Sequence, residues 1–149
     1  MKQLTQVAEI NVSYFPANYK QPIILSSLDA FVEIFPFYPS NIIGLQEHFI
    51  VAYLNQCNRI IGVYSMSKGG ITGTIADIRI IFGTALKVAA CSMILSHNHP
   101  SGNLKPSNAD LEITRKILDA GKLLDIKVKD HIIVSPQNQY LSFGDEGLI

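Results

Sequence analysis

Apolar and polar positions first alternate with period two. Ala8, Ile10, Val12 and Tyr14 fall on one side, and Glu9, Asn11 and Ser13 on the other, which predicts a half-buried first strand. After ANYKQP, the stretch SSLDAFVEIF predicts a short helix, capped by Ser26 or Ser27 and stopped near Pro36, and FYPSNIIG is irregular. Glu47 then opens HFIVAYLN, an almost continuous apolar run that suits a central strand. NQCN turns the chain into a second strand, RIIGVYSM, and SKGG into a third, ITGTIAD, where Gly73 marks a bulge or a close approach.

From Arg79 onward the period lengthens. Phe82, Ala85, Leu86 and Ala89 recur at helical spacing and predict a helix packed on the sheet, followed by a strand, SMILSH. A second amphipathic helix is predicted over residues 108–124, with Ile113, Ile117, Ala120 and Leu124 as its stripe, and VKDHIIVS and YLSF form a hairpin across PQNQ. Strands mixed with a few helices make an α/β (α+β) sandwich: one mixed central β-sheet flanked by helices.

Composition narrows the class without naming a function. The 149 residues suit one domain, 1–149, and a chain of that length buries roughly 68–70% of its unfolded surface without staples. With 48% hydrophobic and 16% charged residues the chain is globular. No apolar run reaches the length of a membrane span, and the N-terminus lacks the basic-then-apolar order of an export signal, so a soluble, cytoplasmic protein is expected. Twelve basic and twelve acidic side chains cancel and form no basic stripe, which predicts weak or no nucleic-acid binding. Cys57 and Cys91 have neither metal spacing nor secretory context; Cys91, in CSMIL, reads as a buried structural thiol.

The chemistry concentrates in SHNHPSGNLKPSNAD, which holds two of the four histidines. Residues two apart on a strand project to one side, so His97 and His99 at the end of SMILSH present two imidazoles to one point. A Pro/Ser/Gly/Asn loop then reverses the chain. Ser107 stands at a helix N-cap, and Asp110 in the first turn reaches back toward the strand end. Two imidazoles, one carboxylate and a position left for water are the donor set of a catalytic zinc site. Ser107 through Asp110 is equally an ordinary capping pattern, and the same spacing recurs at Ser26 through Asp29 with no histidine near. Asp77 and Arg79 are placed to form a local ion pair, and His48 points away from Glu47's side, packed or facing solvent.

HNHP followed by SNAD, with a glutamate opening an upstream strand, resembles the JAMM (MPN+) metalloprotease signature. More narrowly, EHFIVAYLN, the GTxxD…R segment, ILSHNHPSGNLKPSNADLEIT, DHIIV and YLSFGDEG are similar to the RadC family of bacterial proteins, historically named for DNA repair. The resemblance covers a core of residues 47–149. It leaves 1–46 as a strand and short-helix extension in which nothing matches the helix-hairpin-helix segment that RadC proteins commonly carry.

The resemblance implies a JAMM/MPN (cytidine deaminase-like) sandwich and a zinc metallopeptidase acting on peptide or isopeptide bonds through a zinc-activated water. His97, His99 and Asp110 inherit the zinc-ligand role, Glu47 that of the general base, and Ser107 that of steadying the developing oxyanion. Asp130 and His131 also match the family pattern; strand alternation sends them to opposite faces, so at most one faces the cleft, and His131 is expected to orient or pack rather than ligate. The alternative is a non-catalytic, DNA-repair-associated binding module that keeps the fold.

Overall fold

The computed structural model describes residues 8, 10–11, 13–16, 20–68 and 76–149. Its elements run α1 (Ser27–Ile34), a 3-10 turn (Phe35–Phe37), β1 (His48–Leu54), β2 (Ile60–Lys68), α2 (Ile78–Lys87), β3 (Ser92–Asn98), α3 (Asn108–Leu124), β4 (Lys127–Val134) and β5 (Tyr140–Ser142). The five strands form one mixed sheet in the order β2-β1-β3-β4-β5. Only β3 and β4 are parallel; α3 makes the crossover between them, as a parallel pair requires.

The sheet is covered on both faces, and strand alternation sorts its side chains. Ile50, Ala52, Leu54, Ile94, Ile132 and Val134 pack toward α1. Phe49, Val51, Tyr53, Met93, Leu95 and Val128 pack toward α2 and α3 with Ile81, Phe82, Ala85 and Ile117. This double cover explains why β1 and β3 are buried along their whole length and read as continuous apolar runs.

α1 starts where a capping box starts it: Ser26 accepts from Asp29 N–H, and the Asp29 carboxylate accepts from Ser26 N–H. It ends before Pro36, whose ring has no N–H to continue an α-helix. At the other end of the crossover, α3 closes on Asp125 in the left-handed region, φ 54°. The return to β4 passes so close to Gly121 that a Cβ there would sit 2.5 Å from the Ile126 carbonyl oxygen. A glycine in the last turn of the helix is the condition for that tight return.

Several expectations are corrected. The described residues between 8 and 16 form no strand, and Ile10 and Phe15 are each 87% exposed. Alternation alone failed there because, among the described residues, no strand pairs with this stretch; the Tyr14 hydroxyl donates to the Ile61 carbonyl at 2.8 Å. The predicted third strand and Gly73 lie mainly in 71–75, outside the described residues; Ala76 and Asp77 are not strand. Cys91 is exposed: β3 begins one residue later, and Cys91 sits at its entry with its N–H on the Leu54 carbonyl. In α2 the buried stripe is Ile81, Phe82 and Ala85, Leu86 faces out, and Ala89 lies past the helix end at φ 53°. Leu124, at the last turn of α3, is likewise exposed. Among the described residues, no helix is long and apolar enough to cross a membrane.

Candidate metal centre

β3 carries His97 on its α2/α3 side, and the chain leaves the sheet immediately after Asn98. His99 N–H still bonds the Val134 carbonyl at 2.9 Å, so the second imidazole is held beside the strand end. The reversal that follows is tight, with Gly102 N–H on the His99 carbonyl at 3.0 Å and Gly102 itself at φ 81°, a conformation glycine adopts without strain. Ser107 then caps α3, and its capping partner is Asp110. The same carboxylate faces both imidazoles: Asp110 Oδ1 is 3.1 Å from His97 Nε2, and Oδ2 is 3.5 Å from His99 Nε2. The structure thus brings together His97, His99 and Asp110, whose ligand atoms all lie within 4.8 Å of one another.

The proton positions follow from one carbonyl. Thr114 Oγ1 donates to the Asp110 carbonyl oxygen at 2.6 Å, which uses its single proton, so toward His131 Nδ1, also 2.6 Å away, it accepts. His131 Nδ1 therefore carries the hydrogen and its Nε2 is bare. That Nε2 lies 2.8 Å from His97 Nδ1, which donates to it and leaves His97 Nε2 as a lone pair. Burial first, and then the neighbouring His97, keep the His131 pKa well below its ordinary value, consistent with a neutral acceptor. His99 is fixed by the same logic, because its Nδ1 faces the Asn103 carbonyl and must donate.

Two imidazole lone pairs are thereby aimed at each other, with the Nε2 atoms 3.0 Å apart beside a carboxylate. Such an arrangement repels itself unless a cation lies among the three groups. The electrostatics agree: the hydrogen bond to Asp110 raises the His99 pKa, so a proton partly fills the role. Burial opposes ionisation of Asp110, yet the two neighbouring rings, His97 and His99, hold its carboxyl far below the usual range. Two neutral imidazoles and one ionised carboxylate fit a divalent metal, and this trio is able to hold one.

Glu47 lies one residue before β1, half-buried, and shares a cleft of about 260 Å³ with Phe49, Ala76, His97, Ala109, Asp110 and Ile113. Its alternation with Phe49 places it on the metal side of the sheet. Phe49 stacks nearly parallel to His97, with centroids 6.2 Å apart, and forms an apolar wall. Ser107 is exposed; its Oγ donates to Asp110 Oδ2 at 2.7 Å and accepts from Asp110 N–H. His48 points to the opposite face and is fully buried, not solvent-facing. Asp130 also lies on that face, where it receives Ser142 Oγ, Gly144 N–H and its neighbour's N–H. Asp77 and Arg79 form their ion pair at 2.8 Å, with Asp77 also capping α2.

Sequence reasoning missed Thr114, Phe49 and Asn98. Thr114 was signalled only by its place one turn after Asp110, Phe49 only by its position two residues after Glu47. Asn98 gave no signal beyond lying between the histidines.

The RadC-like JAB domain family model matches residues 28–148. A UPF0758 protein of Flavobacterium johnsoniae is 48% identical over 127 residues, which cover 84% of this chain and 53% of that protein. UPF0758 protein plu4865 of Photorhabdus laumondii is 37% identical over 149 residues, 99% of this chain and 63% of that protein. A UPF0758 protein of Porphyromonas gingivalis is 41% identical over 104 residues, 70% of this chain and 46% of that protein. The chain spans roughly half to two thirds of the length of these curated relatives. With a match of this extent and the mixed sheet around a His-His-Asp trio, the chain belongs to the RadC-like JAB domain family.

Proposed function

We propose that the protein is a zinc-dependent metallohydrolase of RadC/JAMM type, a peptidase or isopeptidase whose substrate is a peptide or protein. The observation that carries this reading is the pair of mutually facing imidazole lone pairs beside Asp110, opening on a cleft that Glu47 lines. The same donor set takes iron in some oxygenases; membership in the JAB family weighs for zinc. When bound, the metal would acidify water and polarise a carbonyl.

The chain's own residues supply the rest. His97 and His99 offer neutral nitrogens, and Asp110 offsets the charge. Glu47 accepts a proton from the attacking water and returns it to the leaving nitrogen. Ser107 keeps Asp110 in place in the resting site and turns its hydroxyl to the oxyanion as charge develops there. Phe49, Ala76 and Ile113 wall the cleft with apolar surface, which strengthens each charge interaction inside it.

Glu47→Gln tests the assignment, because the amide keeps shape and hydrogen bonding but accepts no proton. Zinc content is expected to stay near wild type while hydrolysis falls about 10²–10⁴-fold, or roughly 3–5 kcal/mol of transition-state stabilisation. A substrate is sought by incubating the zinc-loaded chain with peptide and isopeptide libraries and reading products by mass spectrometry. Cleavage at the wild-type rate in Glu47→Gln would place the base elsewhere, and neither Glu33 nor Asp130 would take its place, because α1 and Asp130 lie on the face of the sheet away from His97.

A further inference from the structure

We propose that Asn98, the residue between the two histidines, is a positioning residue that sets where Glu47 stands relative to the metal site; this rests on the reading of Glu47 as the base. The β1·β3 ladder ends at the Phe49 and His97 pair. One step further, the Asn98 side chain takes over from the backbone. It projects to the opposite face from His97, is fully buried, and its Oδ1 accepts His48 N–H at 2.7 Å. Its Nδ2 donates to the Gln46 carbonyl at 2.9 Å and to the Ile43 carbonyl at 2.7 Å.

These three bonds bracket Glu47. The peptide group on each side of it, Gln46 C=O and His48 N–H, is tied to one planar amide, and the Ile43 bond anchors the preceding turn. Because Asn98 is covalently flanked by His97 and His99, the same residue fixes the backbone of both imidazoles and of the carboxylate that must work beside them. Few other side chains can do this. Aspartate keeps the acceptor but turns the two donors into an oxygen facing two carbonyls, serine is too short to span three partners, and glutamine is one methylene too long.

The test uses the full chain loaded with cobalt(II), as wild type, Glu47→Gln, Asn98→Ser, Asn98→Gln and the Asn98→Ser/Glu47→Gln double variant. Three quantities are read: metal stoichiometry, the visible spectrum against pH, and hydrogen exchange over 43–48. All variants are expected to bind one equivalent. Glu47→Gln should move the pH midpoint of the spectrum, Asn98→Ser should move it in the same direction, and the double variant should move it no further. Exchange over 43–48 should rise about ten-fold or more in Asn98→Ser. If serine prevents folding, Asn98→Gln, which stays neutral and keeps the amide but is one methylene too long, carries the same expectation.

A wild-type midpoint in the Asn98 variants, or a double variant whose shift is the sum of the two, overturns the proposal. An unchanged midpoint in Glu47→Gln overturns the base reading, on which the proposal rests. Raised exchange over 43–48 alongside it would show that reading to have failed while the Asn98 clamp itself stands.

Discussion

His131 Nε2 lies 2.8 Å from His97 Nδ1, so the ring that faces the metal position is oriented by a second, fully buried imidazole. Metal-binding histidines more often lean on a carboxylate or a carbonyl. An imidazole acceptor works only in one tautomer, and here that tautomer is dictated at one remove by the Thr114 hydroxyl and the Asp110 carbonyl. Thr114→Val keeps the volume and removes the dictation. Zinc affinity, measured by chelator competition, is expected to fall about 10–100-fold and to recover in Thr114→Ser. Wild-type affinity in the valine variant would show that His97 needs no such support.

The metal assignment itself is read by elemental analysis of chelator-free protein. About one zinc per chain is expected, lost in His97→Ala and strongly reduced in Asp110→Ala, since each removes one of three protein donors. Full zinc in the His97 variant would move the site elsewhere, and iron in place of zinc would redirect the chemistry.

Proton release should accompany metal binding. The Asp110 hydrogen bond raises the His99 pKa above 6.5, so the metal-free protein still holds part of a proton there near neutrality, and the metal must displace it. Calorimetry in buffers of different ionisation enthalpy should show release that grows as pH falls from 8 to 6, with affinity dropping in parallel. The sign for the metal-free fold is the reverse. A raised histidine value contributes stability that is complete below 6.5 and is lost as pH rises through the higher folded value. The depressed Asp110 value contributes above 3.8 and is lost as pH falls through the folded value.

Duplex DNA provides a check on the alternative role. Twelve basic side chains against twelve acidic ones leave little to drive phosphate neutralisation, and binding no tighter than about 10⁻⁴–10⁻⁶ M, strongly weakened by salt, is expected. A nanomolar, salt-resistant complex by fluorescence anisotropy would favour the binding-module reading.

His97, His99 and Asp110 were legible because their placement is local: a strand period, a turn and a helix cap bring them together within one stretch of chain. Glu47 required a resemblance, since nothing in its own neighbourhood says which strand end it will meet. Thr114 and Asn98 were illegible for a related reason. Each looks like an ordinary polar residue until the third dimension supplies His131 to one and the 43–48 turn to the other. The false strand near residue 10 and the misplaced Cys91 mark the opposite failure, in which a local pattern was read without the neighbour that would have made it true.

The β3-α3-β4 crossover carries His97, His99, Asp110, Thr114 and His131, whereas Glu47 and Phe49 arrive from β1 and its approach. On the proposed function, capture of the ion and use of it would thus belong to different parts of the chain. An intermediate in which the crossover had formed before β1 docked would hold all three proposed ligands and the relay behind them, without the proposed base. Under the hydrolase reading, assembly in that order would make the docking of one strand the step that joins base to metal site.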